Sequence, residues 1–221
     1  MSFENAIGVF SPDGRLYQVE YAQHASNQGN TTCLSIVDNK IYVYYENKQV
    51  NPMQILEDRI TNVGNSIYLL FSGIQPDSYN IINVCADYTF AHKMDTGENV
   101  TLTEMAGKIG AYKQKYTVSF EWRPVGLKTV VFGFEEGKAK IIVIEADGNR
   151  AEYENVAIGY KSDKLYESFK NNGIYTALHA LMCVSQKDEK HIKGFVVDDK
   201  EGVNEIDQEI IKEGIKNKKD E

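Results

Sequence analysis

The sequence predicts an α+β fold: a four-layer αββα sandwich of two antiparallel sheets flanked by helix pairs. Three observations carry this prediction. Runs of β-branched and aromatic residues come in groups broken by tight-turn signals, and two consecutive amphipathic helical stretches, rather than one, separate the groups. The run Ile67 to Phe71 is apolar on successive residues, as in a strand covered on both faces. Strand groups alternating with helix pairs disfavour parallel βαβ winding and favour hairpin-linked sheets with helices on their outer faces. A chain of 221 residues suits one domain.

The elements follow in order. "VFSPDGRLYQVEYA", residues 9–22, joins the turn Ser11-Pro12-Asp13-Gly14 to a short amphipathic helix. Leu16, Val19, Ala22 and Ala25 recur there at helical spacing, and Gly29 supplies the stop, so the first helix is expected over 15–29. Its apolar stripe ends in alanines, which let a neighbouring backbone approach. "TTCLSIVDNKIYVYYE" reads as a hairpin turning at Asp38-Asn39-Lys40, and "RITNVGNSIYLLFSG" carries a second turn signal at Asn62 to Asn65. Pro76 suits the first turn of a helix whose face runs through Ile82, Cys85 or Ala86, and Thr89 or Phe90 toward Gly97. Thr101 followed by Glu104 has the spacing of a capping box, opening a helix along Leu102, Met105, Ile109, Tyr112 and Tyr116.

"LKTVVFGFEEGKAKIIVIEADGNRAEY" predicts two strands turning at Glu136-Gly137, then a turn at Asp147-Gly148-Asn149 and a third short strand, with "NVAIG" adding another. Ser162 is placed to cap a helix through Leu165 and Phe169; Gly173 breaks it, and Ile174, Leu178, Leu181 and Met182 carry the next. "HIKGFVVD" is the last expected strand and Ile206, Ile210 and Ile215 mark the last helix, before a solvated tail. The expected organisation is a single domain, 1–221, with a leading segment and turn (1–14), the first helix (15–29), a layered core (30–216) and a tail (217–221).

A net charge of −8 disfavours nucleic acid and anionic membrane as partners. No apolar stretch is long enough to cross a bilayer, and the first ten residues lack the features of a signal peptide, so an intracellular location is expected. Cys33, Cys85 and Cys183 have no C-x-x-C spacing and read as buried thiols. The histidines, at 24, 92, 179 and 191, are scattered over different elements, and the common nucleotide, metalloprotease and serine-hydrolase motifs are missing; no cofactor or metal is expected. Thr31 and Thr32 stand at the front of a strand. A threonine freed at a new N-terminus uses its own amine as base for nucleophilic attack, so cleavage just before either would create a hydrolase; the alternative is two ordinary strand residues.

The opening stretch "VFSPDGRLYQVEYA" resembles the N-terminal signature of the proteasome alpha-subunit family almost letter for letter. Looser similarity follows in the family's order through "TTCLSIV", "RITNVGNSIYLLFSG", "RPVGLKTVVFGF" and "AIGYKSD". Among alpha types, "YQVEYAQHASNQG", "NKQVNPMQI" and "AIGYKSD" are most similar to the one in the first ring position. The resemblance implies the N-terminal-nucleophile hydrolase fold and a non-catalytic, cytoplasmic and nuclear subunit of the 20S core particle, in ubiquitin-dependent protein degradation. Its implied partners are other alpha subunits in a seven-membered ring, the beta-ring subunits and regulatory caps.

Set on the pattern of the catalytic beta subunits, "KIYVYYENK" puts Asn30 at the place of the nucleophilic threonine, Glu46 at that of the aspartate and Lys48 at that of the arginine; Arg59 stands in for the catalytic lysine. Asparagine is not such a nucleophile, and a guanidinium does not tune toward neutrality as an amine does. In alpha subunits the tail closes the entry pore. By resemblance Pro12 is the reverse-turn residue of the gate and Tyr21 packs beneath it, joining a Tyr-Asp-Arg tail motif that here reads Phe3-Glu4-Asn5, without the phenolic hydroxyl and the guanidinium. Gly29 and Arg59 fall at the pocket between adjacent alpha subunits where activator C-termini dock, the cation pairing with the terminal carboxylate. Two other readings stay open: an active hydrolase matured by cleavage before Thr31 or Thr32, and a monomeric binding protein on the same fold.

Overall fold

In a computed structural model of the chain, residues 7–47, 53, 58–169, 173–184 and 191–219 are described. Helix α1 (Tyr17–Ser26) leads into strands β1 (Thr32–Val37), β2 (Lys40–Glu46), β3 (Thr61–Gly64) and β4 (Ile67–Gly73). Helices α2 (Asp77–Thr96) and α3 (Leu102–Thr117) follow, then β5 (Leu127–Glu135), β6 (Lys138–Ile144), β7 (Arg150–Glu152) and β8 (Asn155–Ile158). Helix α4 (Thr176–Met182), strands β9 (Ile192–Asp198) and β10 (Gly202–Glu205) and helix α5 (Gln208–Lys219) complete the order.

Two five-stranded antiparallel sheets result, ordered β10-β9-β2-β1-β8 and β3-β4-β5-β6-β7. The period of two in each strand sorts its side chains between layers. From β4, Tyr68 and Leu70 enter the core between the sheets with Leu34, Val43 and Phe132, while Ile67, Leu69 and Phe71 face Ile81, Met105 and Ile109 of α2 and α3. On the other side Cys33 and Tyr44 meet Leu178, Leu181 and Ile211 of α4 and α5. The sandwich is therefore the expected αββα, each strand of its centre buried on both faces.

Local chemistry explains the turns. Asp38-Asn39 and Glu136-Gly137 both have positive φ at each residue, the conformation of the tight hairpin turn whose twist matches its strands. The capping box forms as expected: the Glu104 N–H donates to the Thr101 hydroxyl (3.2 Å), and the Thr101 N–H donates to the Glu104 carboxylate (2.9 Å). Pro76 is the N-cap of α2, and Gly97, with φ 75°, ends it.

Several expectations are corrected. Helix α1 stops at Ser26, whose hydroxyl donates back to the Gln23 carbonyl (2.7 Å), three residues short of Gly29. The reversal between β3 and β4 falls at Asn65-Ser66, so Asn62 is in a strand. The inner face of α2 runs through Ile81 and Cys85, leaving Ala86 and Phe90 outside. Ser162 caps no helix: Lys161 takes φ 58°, Ser162 is buried, and two 3-10 turns (Ser162–Lys164 and Tyr166–Ser168) replace the expected helix, tied to β8 by the Tyr166 hydroxyl on the Ala157 carbonyl (3.3 Å). The helix pair on that face is therefore α4 and α5. Strand β10 goes beyond the expected set, and α5 continues to Lys219, through most of the expected tail, with lysines at its negative end. Cys33 and Cys85 are buried, but Cys183 at the end of α4 is exposed.

A lysine lies deep inside the fold. Lys113 of α3 is fully buried, and its ammonium donates to the carbonyls of Leu127 (2.8 Å) and Ile144 (2.9 Å) at the ends of β5 and β6. Burial pulls its pKa down to about 7, opposed by Glu145 and Asp147.

Candidate functional site

The described part of the leading segment, residues 7–14, is built into the molecule. The Gly14 N–H donates to the Ser11 carbonyl (2.9 Å) and the Ser11 N–H to the Arg15 carbonyl (2.9 Å), closing a tight turn with Pro12 exposed at its tip and Gly14 at φ 75°. Buried Ser11 adds its hydroxyl as acceptor for the Arg15 N–H (3.1 Å). Arg15 then reaches forward along α1: its Nε donates to Glu20 (2.9 Å), and its guanidinium lies 4.9 Å from the centroid of the Tyr17 ring. The bond from Arg15 holds the Glu20 carboxyl below its ordinary pKa. Tyr21 lies on the outer face of α1, half exposed, its ring stacked on Tyr17 at 6.4 Å. The ladder of Arg15, Tyr17 and Tyr21 is absent from the sequence expectations, although i,i+4 spacing of the two tyrosines signals it. Phe3, Glu4 and Asn5 lie outside the described residues, as does Lys48.

The C-terminal end of α1 sits on β4 at van der Waals distance. A side chain at Gly29 would stand 2.3 Å from both the Gly73 nitrogen and the Ser72 hydroxyl, so only glycine fits that crossing. The Ser72 hydroxyl donates to the Ser26 carbonyl (2.9 Å), and Val19 and Ala22 are buried beneath. On the far side the Tyr160 N–H donates to the Gly29 carbonyl (2.8 Å), and the Thr31 hydroxyl donates to the Tyr160 carbonyl (2.9 Å). Thr31 and Thr32 are both buried, and Asn30 between helix and strand is exposed.

Arg59 packs against Tyr45 of β2. Its guanidinium carbon is 5.6 Å from the centroid of Tyr45, its backbone N–H donates to the Tyr45 hydroxyl (3.3 Å), and Tyr45 pairs across the β1–β2 ladder with Thr32. Burial lowers the Arg59 pKa, against the influence of Tyr45, yet a guanidinium remains a cation at neutral pH. One terminal nitrogen, Nη1, is buried without a hydrogen-bond partner among the described residues. A cation with an unused donor is suited to receive an anion. Gly29 and Arg59 thus flank the same strand pair, although no described cavity is lined by both; the cavity beside Arg59, about 270 Å³, is lined by Asp58, Ile60, Tyr68 and Phe195. Tyr45, which positions Arg59, is legible in the sequence only as a strand residue. No group of three or more His, Cys, Asp or Glu that could hold a metal ion occurs among the described residues.

The family model described as "Proteasome subunit" matches residues 26–197, and the model for the N-terminal signature of A-type proteasome subunits matches residues 3–25. The chain belongs to the proteasome subunit family and is of its alpha type. The N-terminal match contains the Ser11 turn and nearly all of α1, the elements that fasten the leading segment to the sandwich. Similar curated proteins include the alpha type-7-1 proteasome subunit of Drosophila melanogaster, 28% identical over 97% of this chain and 92% of the relative. The alpha type-7-B proteasome subunit of Oryza sativa subsp. indica is 28% identical (96% and 90% covered), and the proteasome alpha subunit of Metallosphaera sedula is 28% identical (86% and 84%). These relatives carry the name alpha type-7, or alpha alone, where the stretches quoted from this chain resemble the first ring position; at such identity the comparison gives the type and no position.

Proposed function

We propose that this subunit is a non-catalytic member of the alpha ring of the 20S core particle, gating substrate entry and docking regulatory caps in ubiquitin-dependent degradation in cytoplasm and nucleus. The observation that carries this reading is the backbone just before Thr31. The Gly29 carbonyl is held by the Tyr160 N–H and the glycine itself is wedged against Ser72 and Gly73, so the segment that a threonine hydrolase discards is here part of the packing. A threonine whose nitrogen is an amide lacks the free amine that serves as base. The turn at Pro12 and the tyrosine ladder ending at Tyr21 support a directed gate segment, its tail formed by Phe3, Glu4 and Asn5; the unpaired donor of Arg59 supports reception of a cap's terminal carboxylate.

The test is intact mass and inhibitor labelling on the assembled particle. Retention of residues 1–29 and no covalent adduct of a threonine-directed inhibitor on this chain are expected. Loss of that segment, or an adduct at Thr31 or Thr32, overturns the reading.

A further inference from the structure

A cavity of about 480 Å³ lies in the groove between α2 and α3, inside the range of roughly 300–1,000 Å³ that small-molecule sites occupy. The start of α2 meets the end of α3, and the loop that follows α3 closes the groove at that end. This loop is held in place. Arg123 forms two bonds of 2.8 Å with the Asp77 carboxylate, which also accepts from the Gly126 N–H (3.1 Å), and the Ser119 hydroxyl accepts from the N–H groups of Glu121 (3.2 Å) and Trp122 (3.3 Å).

The two walls differ in chemistry. On α2, Asn80, Asn83 and Asp87 follow at helical spacing and present two amides and a carboxylate along one face. On α3, Tyr112 and Tyr116 stand one turn apart with ring centroids 5.0 Å from each other and hydroxyls bonded at 3.1 Å. Trp122 supplies a third ring at the closed end. Burial and the bond to Tyr116 raise the Tyr112 pKa, so no phenolate adds charge here.

The charges select the occupant. Arg123 is the cation of the lining, and it is committed to Asp77, so an anion finds no free partner; Asp87 has no ion pair among the described residues and leaves the cavity with one uncompensated negative charge. A neutral apolar guest would strip water from that carboxylate without replacing its bonds. A metal ion lacks ligands, because no group of three or more His, Cys, Asp or Glu that could hold one occurs among the described residues. Aromatic faces beside a carboxylate attract a cation carried on an apolar stem.

We propose that this cavity binds a small organic cation, an amine or guanidinium of the polyamine class, with Asp87, Asn80 and Asn83 meeting its N–H groups and the rings of Tyr112, Tyr116 and Trp122 packing its stem. The site is independent of the alpha-ring reading and of the Arg59 pocket.

Trp122 is the chain's single tryptophan, so its fluorescence reports on the cavity directly. The full-length chain is titrated at constant ionic strength with spermidine and with agmatine, by fluorescence and calorimetry, with magnesium chloride as the control cation. Saturation by at least one of the amines and none by magnesium is expected. Removing a charge-assisted bond with Asp87→Asn is expected to weaken binding about tenfold or more, and Tyr116→Leu is expected to weaken it several-fold. Asp87 is on the exposed face of α2, so its variant is expected to melt with wild type. No saturable signal by either method, an equal response to magnesium, or an affinity unchanged in Asp87→Asn overturns the inference. Saturation by an acetylated Ala-Arg-Ala peptide with none by the free amines assigns the cavity to a polypeptide's side chain and overturns it as well. The alpha-ring reading stands or falls separately, on the intact mass of the chain in the particle.

Discussion

Arg59 and Tyr45 hold each other twice: the guanidinium lies over the ring at 5.6 Å and the backbone N–H bonds the hydroxyl at 3.3 Å. Tyr45 therefore sets where the buried, unshared Nη1 stands. A charge-assisted hydrogen bond contributes about 1.5–3 kcal/mol, so Arg59→Ala is expected to weaken binding of a cap's C-terminal peptide about tenfold or more. Peptide hydrolysis by particles with the gate removed is expected to stay unchanged. Equal loss of both in calorimetric titration and hydrolysis assays assigns Arg59 a folding role instead.

Tyr45→Phe keeps the ring and removes only the acceptor for the Arg59 N–H. Its expected effect on peptide binding is smaller than that of Arg59→Ala, on the order of 1 kcal/mol. Tyr45→Leu, which removes the ring face as well, is expected to approach the alanine variant in the same titration.

Lys113 makes stability depend on pH. Its folded pKa of about 7 lies below the unfolded value of about 10.4. Between those values the unfolded chain binds the proton that the folded chain has released, so this lysine makes stability rise with pH across the window, by up to about 1.4 kcal/mol per unit. Below pH 7 both states are protonated and the slope vanishes. Urea unfolding of wild type and Lys113→Met at pH 6, 7, 8 and 9 is expected to give a difference that changes only above 7; parallel curves throughout exclude the effect.

Gly29→Ala is expected to destabilise the isolated subunit by about 1–3 kcal/mol, the usual cost of overpacking, because the added carbon meets the Gly73 nitrogen and the Ser72 hydroxyl at 2.3 Å. The damage is expected to centre on α1, with faster tryptic cleavage after Arg15. A melting temperature equal to wild type contradicts the crossing described.

Removal of residues 1–10 leaves the Ser11 turn and α1 in place. In assembled particles it is expected to raise the basal rate of small-peptide hydrolysis several-fold. An unchanged rate in intact particles assigns the closing role to other subunits' tails.

The layering was legible because period and turn chemistry agree. Ile67 to Phe71 reads as a doubly covered strand, and Asp38, Asn39 and Gly137 are residues that adopt positive φ readily. Ser162 misled because capping residues are read locally, whereas here the left-handed Lys161 and the bond from Tyr166 to β8 bend the chain into 3-10 turns. Strand β10, with two half-buried and two exposed residues, has no apolar run to announce it. At the candidate site, the turn and helix were readable from a dozen residues in a row. The pairing of Arg59 with Tyr45 was not, because it joins positions 14 apart through a tertiary contact that neither period nor motif encodes.

The crossing of Gly29 over Ser72 and Gly73, stitched to Tyr160 on its other side, makes the stretch just ahead of Thr31 part of the packed structure. Severing the chain ahead of Thr31 would loosen a helix and expose the apolar seat beneath it, so a single processing cut would produce a damaged protomer before it produced a nucleophile.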